Sequence, residues 1–391
     1  MIGTLTLDLN AVRGNFKALQ EKVGPKCRVS AMVKADAYGC GMPPIAHALY
    51  EAGAQDFFVA TLEEALAFRS FYPSPATTLY MLNGFQAQDS ALYLAQAITP
   101  VLNTREEIVA YRALAYRENK VLPAILHYDT GMNRLGLEKR DTLKILENPD
   151  LLDGIALEYL MSHLACADES TSPMNDAQRT RFIEFTRYFP KVPRTLANSC
   201  GIYLGTPYHM EMVRPGMALY GLNPTPNQAN PLSPLLTLSV PLLQVRTAQA
   251  GETCGYNATY RFQKETRIGI VALGYADGFF RSLSNVGTLY WNGKACPVLG
   301  RVSMDVVIVD LEHGPESLPP VTGDPLEVIG PNQNVESFAA SAGTIGYEVL
   351  TNLGNRFQKR YIGEEATSRM AGGRSASESG VYASYTEAGR R

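Results

Sequence analysis

No stretch of this sequence approaches the ~20 consecutive apolar residues that a bilayer-spanning helix needs, so no membrane partner is expected. Neither sign of charge is in excess. Lys and Arg number 35 against 38 Asp and Glu, for a net charge of −3, which gives no field for gripping nucleic acid or an anionic membrane. Cysteine is sparse: six residues, at 27, 40, 166, 200, 254 and 296, form no C-x-x-C pair and signal neither a disulfide framework nor a zinc cage. The opening "MIGTLTLDLN" lacks a basic stretch followed by an apolar core, so no signal peptide is expected and the expected location is cytoplasmic. The G-x-S-x-G elbow of serine hydrolases is also missing, which leaves Ser199 without the setting of a nucleophile.

What is present is an alternation. With 46% hydrophobic residues, 33 Gly and 24 Pro over 391 positions, the chain reads as globular and loop-rich, long enough for two or three domains. Short runs rich in Val, Ile, Leu and Ala recur near 29–34, 57–61, 77–82, 98–102, 124–129, 155–163, 195–199 and 212–220. Between most of them, apolar residues fall at three-to-four spacing, the period of an amphipathic helix. "TLEE" at 61–64 and "TREE" at 104–107 match a capping box directly after an apolar run, and Ser172 with Pro173 offers another helix start. Strand then helix, about eight times, predicts an α/β fold with an N-terminal (β/α)8 TIM-type barrel over residues 1–232. The last repeat is thin, with little helical sequence between the seventh and eighth runs.

The pattern changes at "YGLNPTPNQANPLSPLL", residues 220–236, whose prolines and missing period mark a connector. Beyond it, "LTLSVPLLQVRTA", "TRIGIVALGY", "TLYWNGKACPVLG" and "MDVVIVDL" are β-rich runs without long helices between them. They predict a mostly-β C-terminal domain over 233–363, with a short helical stretch at "ESFAASAG". The tail, 364–391, is rich in Ser, Gly, Ala and Arg. Its apolar surface is too small to pack, and it is predicted to be disordered.

In such a barrel, functional side chains gather where strands end and βα loops begin. Lys34 closes the first strand in "AMVKADAYGCG". Arg134 in "HYDTGMNRLG" follows the fifth, and His163 in "MSHLACAD" ends the sixth. Asn198 and Ser199 in "LANSCG" close the seventh, and Arg214 with Gly216 in "VRPGMALYG" belong to the eighth. One rim thus collects a lysine, two arginines, a histidine, hydroxyls and glycines, without a dense carboxylate cluster; no metal is expected. Lysine forms Schiff bases with pyridoxal phosphate, and Ser, Gly and Tyr can hold a phosphate. An anionic, carbonyl-bearing cofactor therefore suits the set better than a metal ion. Taken singly, the same residues have blander readings: Lys34 as a solvated strand-end lysine, His163 as a core histidine, "VRPG" as a charged turn.

The motifs "VKADAYGCG", "DTGMNRLG", "SHLACADE", "ANSCG", "VRPGMALYG", "CGYNATY", "ALGYADGFFR", "GRVSMDVVIVDL" and "GYEVLTNLGNR" occur in the order found in the alanine racemases. On them the chain resembles that family over about residues 4 to 362. The resemblance implies pyridoxal 5'-phosphate as cofactor, an amino acid as substrate, and a homodimer with shared active sites. It implies that Lys34 binds the cofactor covalently and serves as one acid/base group, with Tyr256 of the partner subunit as the other. Tyr38, Ser199 and the backbone N–H groups of Gly216 and Met217 then hold the phosphate, with Asn198 beside them. Arg214 faces the pyridine nitrogen, and His163 links it to the catalytic tyrosine. Arg134 lies near the substrate carboxylate. Met304, Tyr275 and Asp305 reach in from the second subunit, Met304 to meet the substrate and all three to narrow access to the site. On its own, Tyr256 is one of 21 tyrosines and would count as a packing residue.

Two positions depart from the family pattern. Many members carry, two residues before D-T-G, a lysine that becomes carbamylated and orients the arginine; this chain has His127. An inorganic anion, His127 itself or Asn133 must then orient Arg134. Asn355 stands where some members have a phosphate-binding tyrosine. The activity implied is interconversion of L- and D-alanine, supplying D-alanine for peptidoglycan. The alternatives are a broader racemase accepting serine or lysine, a pyridoxal-phosphate decarboxylase, and a non-catalytic pyridoxal-phosphate carrier. Arg214 argues against the decarboxylase, and the domain bearing "CGYNATY" argues against the carrier.

Overall fold

Eight of the apolar runs become eight parallel strands. The first is built in two pieces, Arg28–Val29 and Ala31–Met32. Asp56–Val59, Thr78–Met81, Ile98–Leu102, Leu122–His127, Ile155–Met161, Arg194–Thr195 and Met212–Val213 follow. In this computed structural model, which describes residues 2–72, 76–312 and 320–363, each strand pairs with the next. The first piece of the opening strand pairs with Met212–Val213 and the second with Asp56–Val59, so the sheet closes into a barrel. Parallel strands are buried on both faces, which is why these runs read as continuously apolar. Met32, Phe58, Tyr80, Val101, Ile125, Met161 and Met212 share one cluster inside the barrel and form its plug.

The helices start where the caps predict. Thr61 Oγ1 accepts from Glu64 N–H, Glu64 reaches back to Thr61 N–H, and Thr104 caps the next helix through Glu107 N–H. Between the seventh and eighth strands there is room only for Ser199–Tyr203 and Thr206–His209.

The C-terminal strands form a second closed cycle. Leu236–Ala248 pairs with Pro325–Ile329 through its first half and with Thr266–Val271 through its second. Register shifts between Leu238 and Ser239 and between Leu242 and Gln244 bend it, which lets one strand serve two neighbours. Val307–Asp310, Lys294–Leu299 and Thr288–Trp291 complete the ring. Helices Val335–Ala342 and Gly346–Asn352 lead to the last strand, Gln358–Ile362.

One expectation is corrected. Residues 1–232 do not all belong to the barrel, because Thr4–Asp8 pairs antiparallel with Leu236–Ala248 and parallel with Gln358–Ile362. Its burial alternates, with Leu5 and Leu7 inward, which is the pattern of a sheet covered on one face. Both ends of the described chain therefore meet in the β domain's sheet. The disorder expected of 364–391 concerns residues outside those described.

Asn15 ties the barrel's first helix, Leu9–Val23, to the connector. Its buried amide donates to Leu219 O and Ser233 O and accepts from Ser233 N–H at 2.8 Å. Asn15→Leu strands these backbone groups and should lower the unfolding free energy by about 1–3 kcal/mol in a urea titration. An unchanged midpoint would mean the connector is held by other contacts.

Candidate active site

The segment after the first strand is locally strained. Ala35, Asp36, Ala37 and Tyr38 have φ of 51°, 52°, 53° and 56°, a turn of left-handed helix in residues that carry a Cβ. That conformation costs about 1–2 kcal/mol per residue, so surrounding bonds must impose it. Ala37 N–H donates to Val33 O, Gly39 N–H to Ala35 O and Gly41 N–H to Asp36 O. The Glu64 carboxylate takes Ala35 N–H at 2.6 Å, and the Asp36 carboxylate takes Met42 N–H at 2.7 Å. From the β domain, Lys359 Nζ donates to Gly39 O and Tyr361 Oη to Cys40 O, both at 2.8 Å. The turn sets the Lys34 side chain at the barrel mouth and the Tyr38 ring against Tyr220, with centroids 4.6 Å apart.

Loops from seven of the eight strands meet around one cavity of about 470 Å³. Lys34, Tyr38, Arg134, His163, Asn198, Ser199, Arg214, Gly216 and Met217 all line it. At one end, Ser199 Oγ accepts from Gly216 N–H at 2.9 Å and Ala218 N–H at 3.2 Å. A Cβ on Gly216 would lie 2.2 Å from Tyr38 Oη, so glycine is what lets the phenol close on this loop. Asn198 fixes the same corner, accepting from Gly201 N–H and donating to Leu164 O. Two hydroxyls and a tight run of backbone amides make a cradle suited to a phosphate.

Arg214 crosses the wall of the cavity. It is 2% exposed and is held by Thr195 Oγ1 at 2.6 Å, Ser162 O at 2.6 Å and His163 Nδ1 at 3.4 Å. It has no carboxylate partner among the described residues. A buried guanidinium without a counter-ion is costly unless a ligand supplies an acceptor. Guanidinium only donates, so His163 Nδ1 carries a lone pair and its Nε2 carries the proton. Burial, then Arg214 and Arg134, hold the His163 pKa well below its usual value, and the ring is neutral.

His127 is the opposite tautomer. Its Nδ1 lies 2.7 Å from Asn103 Oδ1, and the Asn103 amide nitrogen already donates to Leu82 O and Val101 O. Nδ1 is therefore the donor and Nε2 the acceptor. Burial, then Arg214 and Arg134, push its pKa down to about 3. Lys34 is also lowered, by burial first and Arg134 second, with Glu64 opposing. Burial and Tyr347 push Tyr38 up to about 12, which keeps it a neutral donor.

The β-domain residues lie elsewhere. Tyr256, 69% exposed, does not line the cavity of its own chain, nor do Tyr275, Met304 and Asp305. The four share one surface region. Tyr275 N–H donates to Ser303 O, Arg356 bridges Asp277 and Asp305 at 2.7 and 2.8 Å, and Gly255 packs against the backbone of Arg301. Conversely, Tyr347 lines the cavity although no sequence signal singled it out. It lay inside "GYEVLTNLGNR", at the start of a helix whose direction only the fold reveals. Asn355, eight positions on, does not line the cavity.

The chain is similar to known proteins over most of its length. The family profile "Alanine racemase, N-terminal domain" matches residues 7–224, and "Alanine racemase, C-terminal domain" matches 235–361. An alanine racemase of Acidiphilium cryptum (strain JF-5) is 45% identical over 356 residues, which is 91% of this chain and 98% of that protein. A catabolic alanine racemase of Agrobacterium fabrum (strain C58) is 43% identical over 360 residues, 92% of each. The crystal structure of alanine racemase from Bartonella henselae with covalently bound pyridoxal phosphate is similar at a TM-score of 0.89 and 37% identity, covering 93% of this chain and 100% of that one.

The buried neutral ring of His127 has a consequence for stability. Unfolding returns it to its ordinary 6.5, so between pH 6.5 and about 3 the unfolded chain binds the additional proton. Stability tied to this ring is therefore complete above pH 6.5 and falls as the pH drops through that window. In urea titrations, His127→Gln should show a shallower loss of stability below pH 6.5 than the parent. Parallel pH profiles would contradict the assignment.

Proposed function

The chain belongs to the alanine racemase family, isomerases that interconvert L- and D-alanine with pyridoxal 5'-phosphate, and we propose that it does so with two bases, Lys34 and Tyr256 of the partner subunit. The observation that carries this reading is one cavity lined together by Lys34, the Ser199–Gly216–Tyr38 cradle and the buried Arg214.

The two enantiomers have equal free energy in an achiral solvent, so there is no net driving force to exploit. A proton must leave one face of the α-carbon and return to the other, which requires a group on each side. Pyridoxal phosphate, when bound, supplies the aldehyde and the electron-withdrawing ring that acidify the α C–H bond. Lys34 would be the point of covalent attachment and would carry the proton on one face. Its lowered pKa makes the amine a better base near neutrality than an ordinary lysine. Tyr38, Ser199 and the N–H groups of Gly216 and Met217 would hold the phosphate, and Asn198 fixes the Ser199 turn. Arg214 would be the cation beside the ring of the bound cofactor, where its fixed positive charge would disfavour protonation of the ring nitrogen and so would limit how far the ring withdraws charge.

Tyr256 of the partner subunit carries the proton on the other face. His163, whose Nε2–H is fixed by Arg214 behind it, donates to that phenolic oxygen and stabilises it once deprotonated. Arg134 meets the substrate carboxylate. Met304, Tyr275 and Asp305 of the partner subunit border the access to the site. The exposure of Tyr256, Tyr275 and Met304 in one region supports a homodimer with shared sites, because clustered large side chains at a surface mark contacts. No helix of the described residues is long and apolar enough to cross a membrane. We assign the enzyme to the cytoplasm, where its D-alanine serves peptidoglycan synthesis.

Subunit complementation tests the two-base reading. Lys34→Ala and Tyr256→Phe homodimers should each be inactive as racemases. A mixed dimer rebuilds one intact site out of two, so random pairing should restore about a quarter of the parent activity. Sites built within one chain would restore none, and that result would overturn the proposal.

A further inference from the structure

Arg134 is the least anchored member of the site. It is exposed, and among the described residues it has no hydrogen bond or ion pair. A long guanidinium side chain carries large rotamer freedom, which has to be restrained if it is to guide a substrate. The loop that carries it is well fixed. The Asp129 carboxylate accepts from Gly131, Met132 and Asn133 N–H at 2.9, 2.9 and 3.0 Å. Leu137 N–H then donates to His127 O at 2.8 Å and Asp129 N–H to Leu137 O, folding the loop back on the end of the fifth strand. At Gly136, φ 114°, a Cβ would lie 3.3 Å from His127 Cδ2, the ring carbon next to Nε2. Gly136 thus brings the Arg134 loop close to the edge of the imidazole, and the His127 and Arg134 side chains line the same cavity.

The ring cannot turn away. Asn103 is 2% exposed, holds Nδ1–H, and is itself fixed through Leu82 O and Val101 O and by its own N–H to Glu107 Oε2 at 2.7 Å. Nε2 is left as an acceptor with no donor from the protein among the described residues. Of the other cations that line the cavity, Arg214 has its terminal nitrogens engaged by Thr195, Ser162, Leu196 and His163, and Lys34 is the residue proposed above to bind the cofactor. Asn133, the other candidate support on the chain, is exposed and does not line the cavity. We propose that His127 is a positioning residue whose Nε2 accepts an N–H of Arg134 and aims the guanidinium at the substrate carboxylate. The proposal rests on the reading that Arg134 meets that carboxylate.

The test uses the holoenzyme. His127→Phe keeps a flat ring and deletes the acceptor. KM for L-alanine should rise about tenfold while kcat changes less than about twofold, with cofactor absorbance retained. Calorimetric titration with propionate, a carboxylate that cannot react, should show the same weakening. His127→Gln, which offers a carbonyl oxygen, should recover most of the loss. Asn103→Leu, which frees the ring from behind, should raise KM in the same direction and serves should the phenylalanine variant fold poorly. Arg134→Ala sets the scale, and adding His127→Phe to it should cost nothing more.

The contrary outcomes separate. If Arg134→Ala leaves KM unchanged, the substrate role of Arg134 fails and the His127 proposal falls with it. If Arg134→Ala raises KM but neither His127→Phe nor Asn103→Leu does, or the effects simply add, only the His127 role is overturned. A parent KM that falls as chloride or bicarbonate is added would show that an anion orients Arg134 instead.

Discussion

Four consecutive residues held in the left-handed region between Lys34 and Gly39 are the constraint on which the site depends. A right-handed or extended exit from the first strand would send Lys34 and Tyr38 in different directions relative to the cradle. At about 1–2 kcal/mol per residue, the turn would not persist in an isolated loop. It persists because Glu64 from the second βα unit takes Ala35 N–H, and Lys359 and Tyr361 take the carbonyls of Gly39 and Cys40. The last two stand on Gln358–Ile362, the strand that pairs with Thr4–Asp8. The meeting of both ends of the described chain in one sheet is therefore a part of how the lysine is aimed. The β domain has two tasks: it buttresses the site of its own chain and displays Tyr256 away from it.

Electrostatics are organised around the same geometry. Lys34, Arg134 and Arg214 face one cavity, an arrangement that suits a phosphate and a carboxylate. Two imidazoles sit among these cations, and both are held neutral by burial and by the arginines beside them. Their opposite tautomers are set by different neighbours: Arg214 forces a lone pair onto His163 Nδ1, and Asn103 forces a proton there on His127. One ring thus offers a donor to the site and the other an acceptor, without adding charge to a cavity already positive.

Much of this was legible in the sequence. Parallel strands buried on both faces leave continuous apolar runs, and all eight appeared near their observed positions. Lys34, Arg134, His163, Asn198, Ser199, Arg214 and Gly216 followed from the rule that βα loops carry function, whereas Tyr38 and Met217 came from the family resemblance. The strand Thr4–Asp8 was assigned to the wrong domain because its partners lie more than 200 residues away, and only its alternation of buried and half-buried positions hinted at a one-sided sheet. The left-handed turn was not legible at all. Ala35, Asp36 and Ala37 do not favour positive φ, glycines come only at 39 and 41, and the bonds that impose the conformation arrive from residues 64, 359 and 361. Tyr347 was missed for a similar reason, since a helix start in a second domain gives no local sign of facing the barrel. The roles of Tyr256, Tyr275, Met304 and Asp305 came from family resemblance alone; on one chain they are simply exposed.

The most direct measurement is of where the cofactor becomes attached. Protein loaded with pyridoxal phosphate, reduced with borohydride and mapped by peptide mass spectrometry should carry the added mass on the peptide containing Lys34 and on no other. An adduct on a different lysine, or none after reduction, would contradict the account.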